Sequence, residues 1–264
     1  MSHGESGVLI SIDGSVAQIT LNRPDSYNAI THELHAELTS AFRGLEEKQE
    51  VRAIVFASTG KVFSAGGDFD LILRQQANPV ERARAACLAR PLFMAVADSR
   101  LPVVTALHGD SVGLGATLAL CTDAIVAART VRISDPHVVI GLAAGDGGCV
   151  VWPQSVGLLR AKRYLLTGDR IAAEDAFAMG LVTDLVDTPG EVLPAARAMA
   201  QRMAALPPLA VQATKRTLNQ GLRHRIEEVF DVGLTLEMET MATEDIVEAI
   251  SAFKQKRKPS YRGR

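Results

Sequence analysis

The sequence has few of the features that would take it outside ordinary globular enzymes. Only three cysteines occur, Cys87, Cys121 and Cys149. Their number is odd and their spacing is not that of metal-ligating pairs, so no metal site is expected from them. The first residues, Met-Ser-His-Gly-Glu-Ser, lack the basic-then-apolar order of an export signal, and the expectation is a reduced, cytoplasmic protein. No run of about 18 apolar residues exists, so no helix is expected to cross a membrane. Charge of one sign is also absent. Twenty-eight basic against 30 acidic residues leave a formal charge of -2, so no global basic field recruits nucleic acid. There is no fixed-period repeat and no low-complexity tract.

The 264 residues are 47% hydrophobic and 22% charged, close to globular averages. A chain of this length buries about three quarters of its unfolded surface, enough for one large domain or one domain with an appendage. Along the chain, Val8-Leu9-Ile10-Ser11-Ile12 and Val16 to Leu21 flank Asp13-Gly14-Ser15, a hairpin signal. Leu34, Leu38, Phe42 and Leu45 follow at helical spacing, with Thr31 as N-cap. Apolar strands are predicted at 53–57, 103–107 and 124–127, and a helical stretch at 79–98. Strand, glycine-rich turn and helix recur, which is the signature of an α/β chain. After about residue 190 the strand signal stops. The reading is an α/β core over 1–190 and a helical C-terminal region over 191–264. In that region an apolar stripe with Phe230, Leu234 and Met241 is expected to be buried between subunits. The last eleven residues carry six basic and no acidic side chains, either as a solvated tail or as a contact with a phosphate or a neighbouring subunit.

Two strand ends run into small-residue turns, Phe63-Ser64-Ala65-Gly66-Gly67-Asp68 and His108-Gly109-Asp110-Ser111-Val112-Gly113-Leu114-Gly115. Glycine there lets backbone N–H groups approach a ligand with no Cβ in the way. Two readings stand: both are merely tight turns, or each aims one N–H at the same oxygen, forming an oxyanion hole.

The two turns, with Leu21-Asn22-Arg23-Pro24, Asn28-Ala29, Cys121-Thr122-Asp123, Leu166-Thr167-Gly168-Asp169-Arg170 and Ala178-Met179-Gly180-Leu181-Val182, resemble the enoyl-CoA hydratase/isomerase, or crotonase, superfamily over nearly the whole chain. Ser251 to Lys258 looks like the closing helix of that family. The resemblance implies a spiral of ββα turns with a helical C-terminal region, assembled as a trimer or a hexamer. It implies an acyl-CoA substrate, with coenzyme A as part of that substrate and no permanently bound cofactor. By position, the thioester oxygen would sit between the N–H groups of Gly67 and Leu114. Ser64, Ala65, Gly66 and Asp68 of the first turn, together with Lys61, Phe253 and Lys256, would line the substrate and its CoA. Asp70 stands where many members carry a lysine, with Arg74 nearby.

Family hydratases use two glutamates. Thr117 stands at the first of these positions and His137 at the second. A threonine hydroxyl is too weak an acid or base to replace a carboxylate, so ordinary two-glutamate hydration is not expected. Asp146 follows His137 by nine residues in a glycine-rich loop. It is read either as the partner that orients His137 as a general base or as the N-cap of a helix starting at Gly147-Gly148. His137 itself is read as that base or as a satisfied core histidine. The Pro136-His137 segment, Gly145-Asp146-Gly147 and Val150 to Pro153 resemble the branch that hydrolyses a carbon–carbon bond of cyclic β-diketones. That resemblance implies roles for His137, Asp146 and a late glutamate, Glu237. On a helical wheel Glu237 lies about 20° from Phe230, on the apolar face. It is read as approaching the site or as salt-bridging across a subunit contact. Three functions remain in view: an acyl-CoA hydratase or isomerase, a β-diketone hydrolase, and a non-catalytic or RNA-binding homologue.

Overall fold

The computed structural model describes residues 6–264. Strands β1 (Val8–Asp13) and β2 (Val16–Leu21) form the expected hairpin, turning on Gly14 at φ +57°. Helix α1 (His32–Glu46) begins where Thr31 accepts a hydrogen bond from the Leu34 N–H. Then come β3 (Ala53–Ser58), α2 (Phe69–Ala77), α3 (Pro79–Ala97), β4 (Val103–Leu107), the short β5 (Ser111–Val112) and α4 (Leu114–Leu120). They are followed by β6 (Ala124–Ala128), β7 (Arg132–Ser134), α5 (Gly148–Val156), α6 (Leu158–Thr167), β8 (Ile171–Ala172), α7 (Ala173–Met179) and β9 (Asp184–Val186). The chain closes with α8 (Pro189–Ala204), α9 (Pro208–Met241) and α10 (Glu244–Lys254).

The main sheet has the order β1-β2-β3-β4-β6-β9 and is parallel from β2 onward. A second sheet, β5-β7-β8, stands beside it. Strand β4 runs on into β5 and β6 into β7, so the chain steps repeatedly from the main sheet to the smaller one. The inner strands are continuous apolar runs because both faces are covered. Phe42, Phe56 and Phe63 stack edge-to-face across this core, with centroids 5.5 and 5.2 Å apart.

Helix α8 lies on the sheet against β3, β4 and β6. A division near residue 190 therefore falls at the start of a helix that helps cover the sheet. Helix α9 is about 50 Å long and is tied to the sheet by Lys215. Its buried ammonium meets Asp123 at 2.6 Å and the Leu101 carbonyl at 2.8 Å. The apolar stripe of α9 departs from expectation, because Phe230, Leu234 and Met241 are buried within this chain, against α3, α5 and a small second core. The apolar side chains that α9 leaves exposed are Leu209, Leu218, Val232 and Leu236. No helix among the described residues is long and apolar enough to cross a membrane.

Candidate active site

The two glycine turns touch. Val112 N–H donates to the Ser64 carbonyl at 3.0 Å, and Ser64 and Ser111 form a parallel bridge. A Cβ on Gly66, whose φ is +84°, would lie 2.7 Å from the Val112 carbonyl oxygen, and one on Gly115 would lie 2.5 Å from the Ser64 Cβ. Only glycine permits this approach. Ile30 bridges to Gly67 through the Gly66 carbonyl and the Asp68 N–H, which leaves the Gly67 N–H outside the ladder. Leu114 opens α4, so its N–H is one of the free donors of a helix start. Among the described residues neither N–H donates to a backbone carbonyl.

His137 stands just beyond this pair of turns. Its ring lies against Gly113, where a Cβ would come 3.5 Å from Cε1. The residue opens a 3-10 turn after Pro136, and both ring nitrogens meet carboxylates. Nδ1 meets Asp135 Oδ1 in a short contact, and Nε2 meets Asp146 Oδ2 at 3.2 Å. Burial opposes charge on the ring, but the two carboxylates outweigh it and hold His137 well above its ordinary pKa. Asp146 is buried too. The charge and hydrogen bond of His137 overcome that burial and keep its carboxyl below the usual range. Its other oxygen accepts from the Thr117 hydroxyl at 3.4 Å.

Glu237 completes the group. The 143–148 loop presses on α9, with Gly145 against Gly233, one turn before Glu237. Glu237 is 6% exposed, and its Oε2 has no hydrogen-bond partner among the described residues. Burial, and next the charge of Asp146, push its carboxyl up to about 8. Ligand-type atoms of His137, Asp146 and Glu237 all lie within 4.8 Å of one another. Both shifts favour the protonated forms of His137 and Glu237 at neutral pH.

Asp146 is not the cap of α5. Gly147 occupies that position at φ +123°, where a Cβ would strike Phe93 and the Thr117 methyl. Ser64 and Asp68 have side chains engaged within the fold: Ser64 Oγ donates to the Asn28 carbonyl at 2.8 Å, and Asp68 caps α2 by accepting from Leu71 N at 2.9 Å. Ala65 and Lys61 are exposed. Phe253 is 68% exposed and packs edge-on against Phe69, the first residue of α2, at 5.4 Å. Lys256 is exposed just beyond α10. Asp70 is paired with Lys254 at 3.2 Å, so Arg74 is not its counter-charge. Sequence reasoning missed Asp135, although Asp-Pro-His signals a carboxylate folded back on a ring two residues away. It also missed His35 on α1. Burial brings that group down to about 4, against the opposing charge of Asp146.

The family model described as enoyl-CoA hydratase/isomerase matches residues 11–264. The 2,3-dehydroadipyl-CoA hydratase of Escherichia coli is 34% identical, over 98% of this chain and 100% of that protein. The short-chain-enoyl-CoA hydratase of Clostridium acetobutylicum is 29% identical, over 96% of each chain. Among solved structures, an enoyl-CoA hydratase/isomerase from Mycobacterium paratuberculosis superposes with a TM-score of 0.89 at 37% identity. That match covers 93% of this chain and 97% of the other.

Proposed function

The chain belongs to the enoyl-CoA hydratase/isomerase family, and from that premise we propose that it hydrates a 2-enoyl-CoA thioester with His137, Asp146 and Glu237 in place of two opposed glutamates. The observation that carries this reading is the buried cluster of those three groups beside two free N–H donors.

The thioester oxygen accepts from Gly67 N–H and Leu114 N–H. Negative charge gathers on that oxygen as the enolate forms, and preorganised donors stabilise it by a few kcal/mol. The Asp146 carboxylate, paired with the protonated His137, takes one proton from a water whose oxygen bonds to the β-carbon. The electron pair of the double bond moves to the thioester oxygen. Neutral Glu237 then gives its proton to the α-carbon, and the proton held by the pair returns to Glu237 across the cluster. One water is consumed and the protein ends as it began. Asp135 fixes the ring through Nδ1, so that Nε2 holds Asp146 in place. Thr117 contributes only a hydrogen bond to Asp146.

A second reading rests on the same three residues being brought together. The pair would activate water against a ketone held by the two N–H groups. The carbon–carbon bond of a cyclic β-diketone would break, and Glu237 would protonate the enolate that leaves. Turnover of crotonyl-CoA, followed by loss of its conjugated absorbance, tests the first reading. Turnover of a cyclic β-diketone without inhibition by acetyl-CoA would replace it with the second.

A further inference from the structure

Two carboxyl oxygens of the buried cluster have no hydrogen-bond partner among the described residues, Oδ2 of Asp135 and Oε2 of Glu237. Both residues are more than nine-tenths buried, at 1% and 6% exposure. Buried acceptors are nearly always satisfied, and an exception calls for a cause such as an ion. No lysine or arginine supplies the missing charge. Among the described residues the only ion-pair partner of Asp135 and of Asp146 is the His137 ring, and Glu237 has none.

The set has the composition and the spacing of a metal site. An imidazole nitrogen and a carboxylate oxygen that share a zinc ion at about 2.0–2.2 Å, at 90–110° to one another, lie about 3.0–3.5 Å apart. His137 Nε2 and Asp146 Oδ2 already stand at 3.2 Å. Ligand-type atoms of these two and of Glu237 all lie within 4.8 Å of one another. Glu237 has an oxygen that no other group holds, so it is free to complete the set. Asp135 supplies the outer partner. It accepts from Nδ1 and leaves Nε2 to face inward, the carboxylate–histidine arrangement that metal-binding histidines almost always have. The site is also built in advance. The His137 ring rests against Gly113, and Gly145 presses on Gly233, which fixes the 143–148 loop on α9.

We propose that His137, Asp146 and Glu237 form a reversible binding site for one divalent transition ion of the zinc class. One imidazole with two carboxylates suits zinc or cobalt, whereas magnesium favours oxygen ligands alone. The ion takes lone pairs on Nε2 and on the two carboxylates, and protons held there pass to solvent. The hydration proposed above works through the same atoms, so a filled site is an inactive one. The site itself stands on the cluster and not on that reaction.

The test uses the full chain, treated with a chelator and exchanged into chelator-free buffer. Calorimetry should show one equivalent of Zn2+ per chain, and Mg2+ should bind at least about tenfold more weakly. Co2+ should give the visible absorption bands of a four- or five-coordinate ion, and Zn2+ should displace them. Glu237→Gln and His137→Ala should abolish this binding. Asp135→Asn keeps all three ligands and should weaken it about 10–100-fold, the effect of losing an outer partner. Circular dichroism identifies any variant that has not folded, and the Co2+ spectrum of the wild type reports without any substitution. Crotonyl-CoA turnover should fall in step with zinc occupancy. No stoichiometric binding, or binding of equal strength in the wild type, Glu237→Gln and Asp135→Asn, overturns the proposal, as does full turnover at saturating zinc. If crotonyl-CoA is not turned over with or without zinc while Zn2+ still binds through the three residues, the ion site stands and the hydratase reading falls.

Discussion

Gly145 and Gly233 meet backbone to backbone: a Cβ on Gly145 would lie 2.0 Å from the Gly233 carbonyl oxygen and 2.9 Å from the Glu237 Cβ. This contact brings the loop bearing Asp146 onto α9, so that a residue 91 positions later in sequence joins the same proton-carrying group. Gly145→Ala should therefore separate Asp146 from Glu237. The expected results are a loss of about 1–3 kcal/mol in unfolding free energy, typical of overpacking, and a fall in kcat of at least about tenfold. A variant with wild-type turnover would show that the two carboxyl groups need not be held together.

His137→Ala should lower kcat on the order of 10²–10⁴, the range of a general acid–base group. Asp135→Asn should leave the fold intact and cut turnover by releasing the ring, and Asp146→Asn should do so by removing the partner on Nε2. Thr117→Ala should matter much less, since its hydroxyl only supports Asp146. Steady-state kinetics on the four variants decide the roles. Inactive Thr117→Ala beside near-normal His137→Ala would place the chemistry on the other side of the cleft.

Glu237 makes stability depend on pH in a defined direction. Its carboxyl has a pKa near 4.5 in the unfolded chain and about 8 in the fold. The folded state thus binds the extra proton, and the stabilisation is full below pH 4.5 and lost as pH rises toward 8. His137, also raised, contributes a loss only above its ordinary value near 6.5. Between pH 5 and 6.5 Glu237 lowers stability by on the order of 2 kcal/mol as pH rises, while His35, brought down to about 4, and His32, also lowered, raise it over the same window. Urea unfolding should show the Glu237 contribution as the difference between the two proteins, Glu237→Gln gaining stability relative to the wild type as pH rises through this window. In the same variant the activity limb that falls near pH 8 should vanish along with most of the activity.

Leu209, Leu218, Val232 and Leu236 leave α9 with apolar side chains in water. Burial between copies would remove that cost, and the expected assembly is a trimer or a hexamer. Light scattering that returned a stable monomer at micromolar concentration would rule this out. Charged substitutions at Leu218 and Val232 should shift the protein toward monomer without altering the circular dichroism of the chain.

The sequence alone was enough to place the hairpin, α1 with its Thr31 cap, the three buried strands and the two glycine turns. In each case the signal is local: an apolar period, a capping hydroxyl or a residue without Cβ. It also placed Glu237 on the buried face of its helix, because a helical wheel needs only spacing. Periodicity does not say what an apolar stripe packs against, so the expectation of an intersubunit face for Phe230, Leu234 and Met241 had no support beyond their spacing. The tertiary structure decided that, by folding α9 against α3 and α5. It also decided between the two readings of Asp146, because Gly147 at positive φ takes the cap and frees the carboxylate to face His137. The pKa of Glu237 is likewise a tertiary property. It depends on burial and on carboxylates from two other segments, and no run of neighbouring residues encodes that proximity.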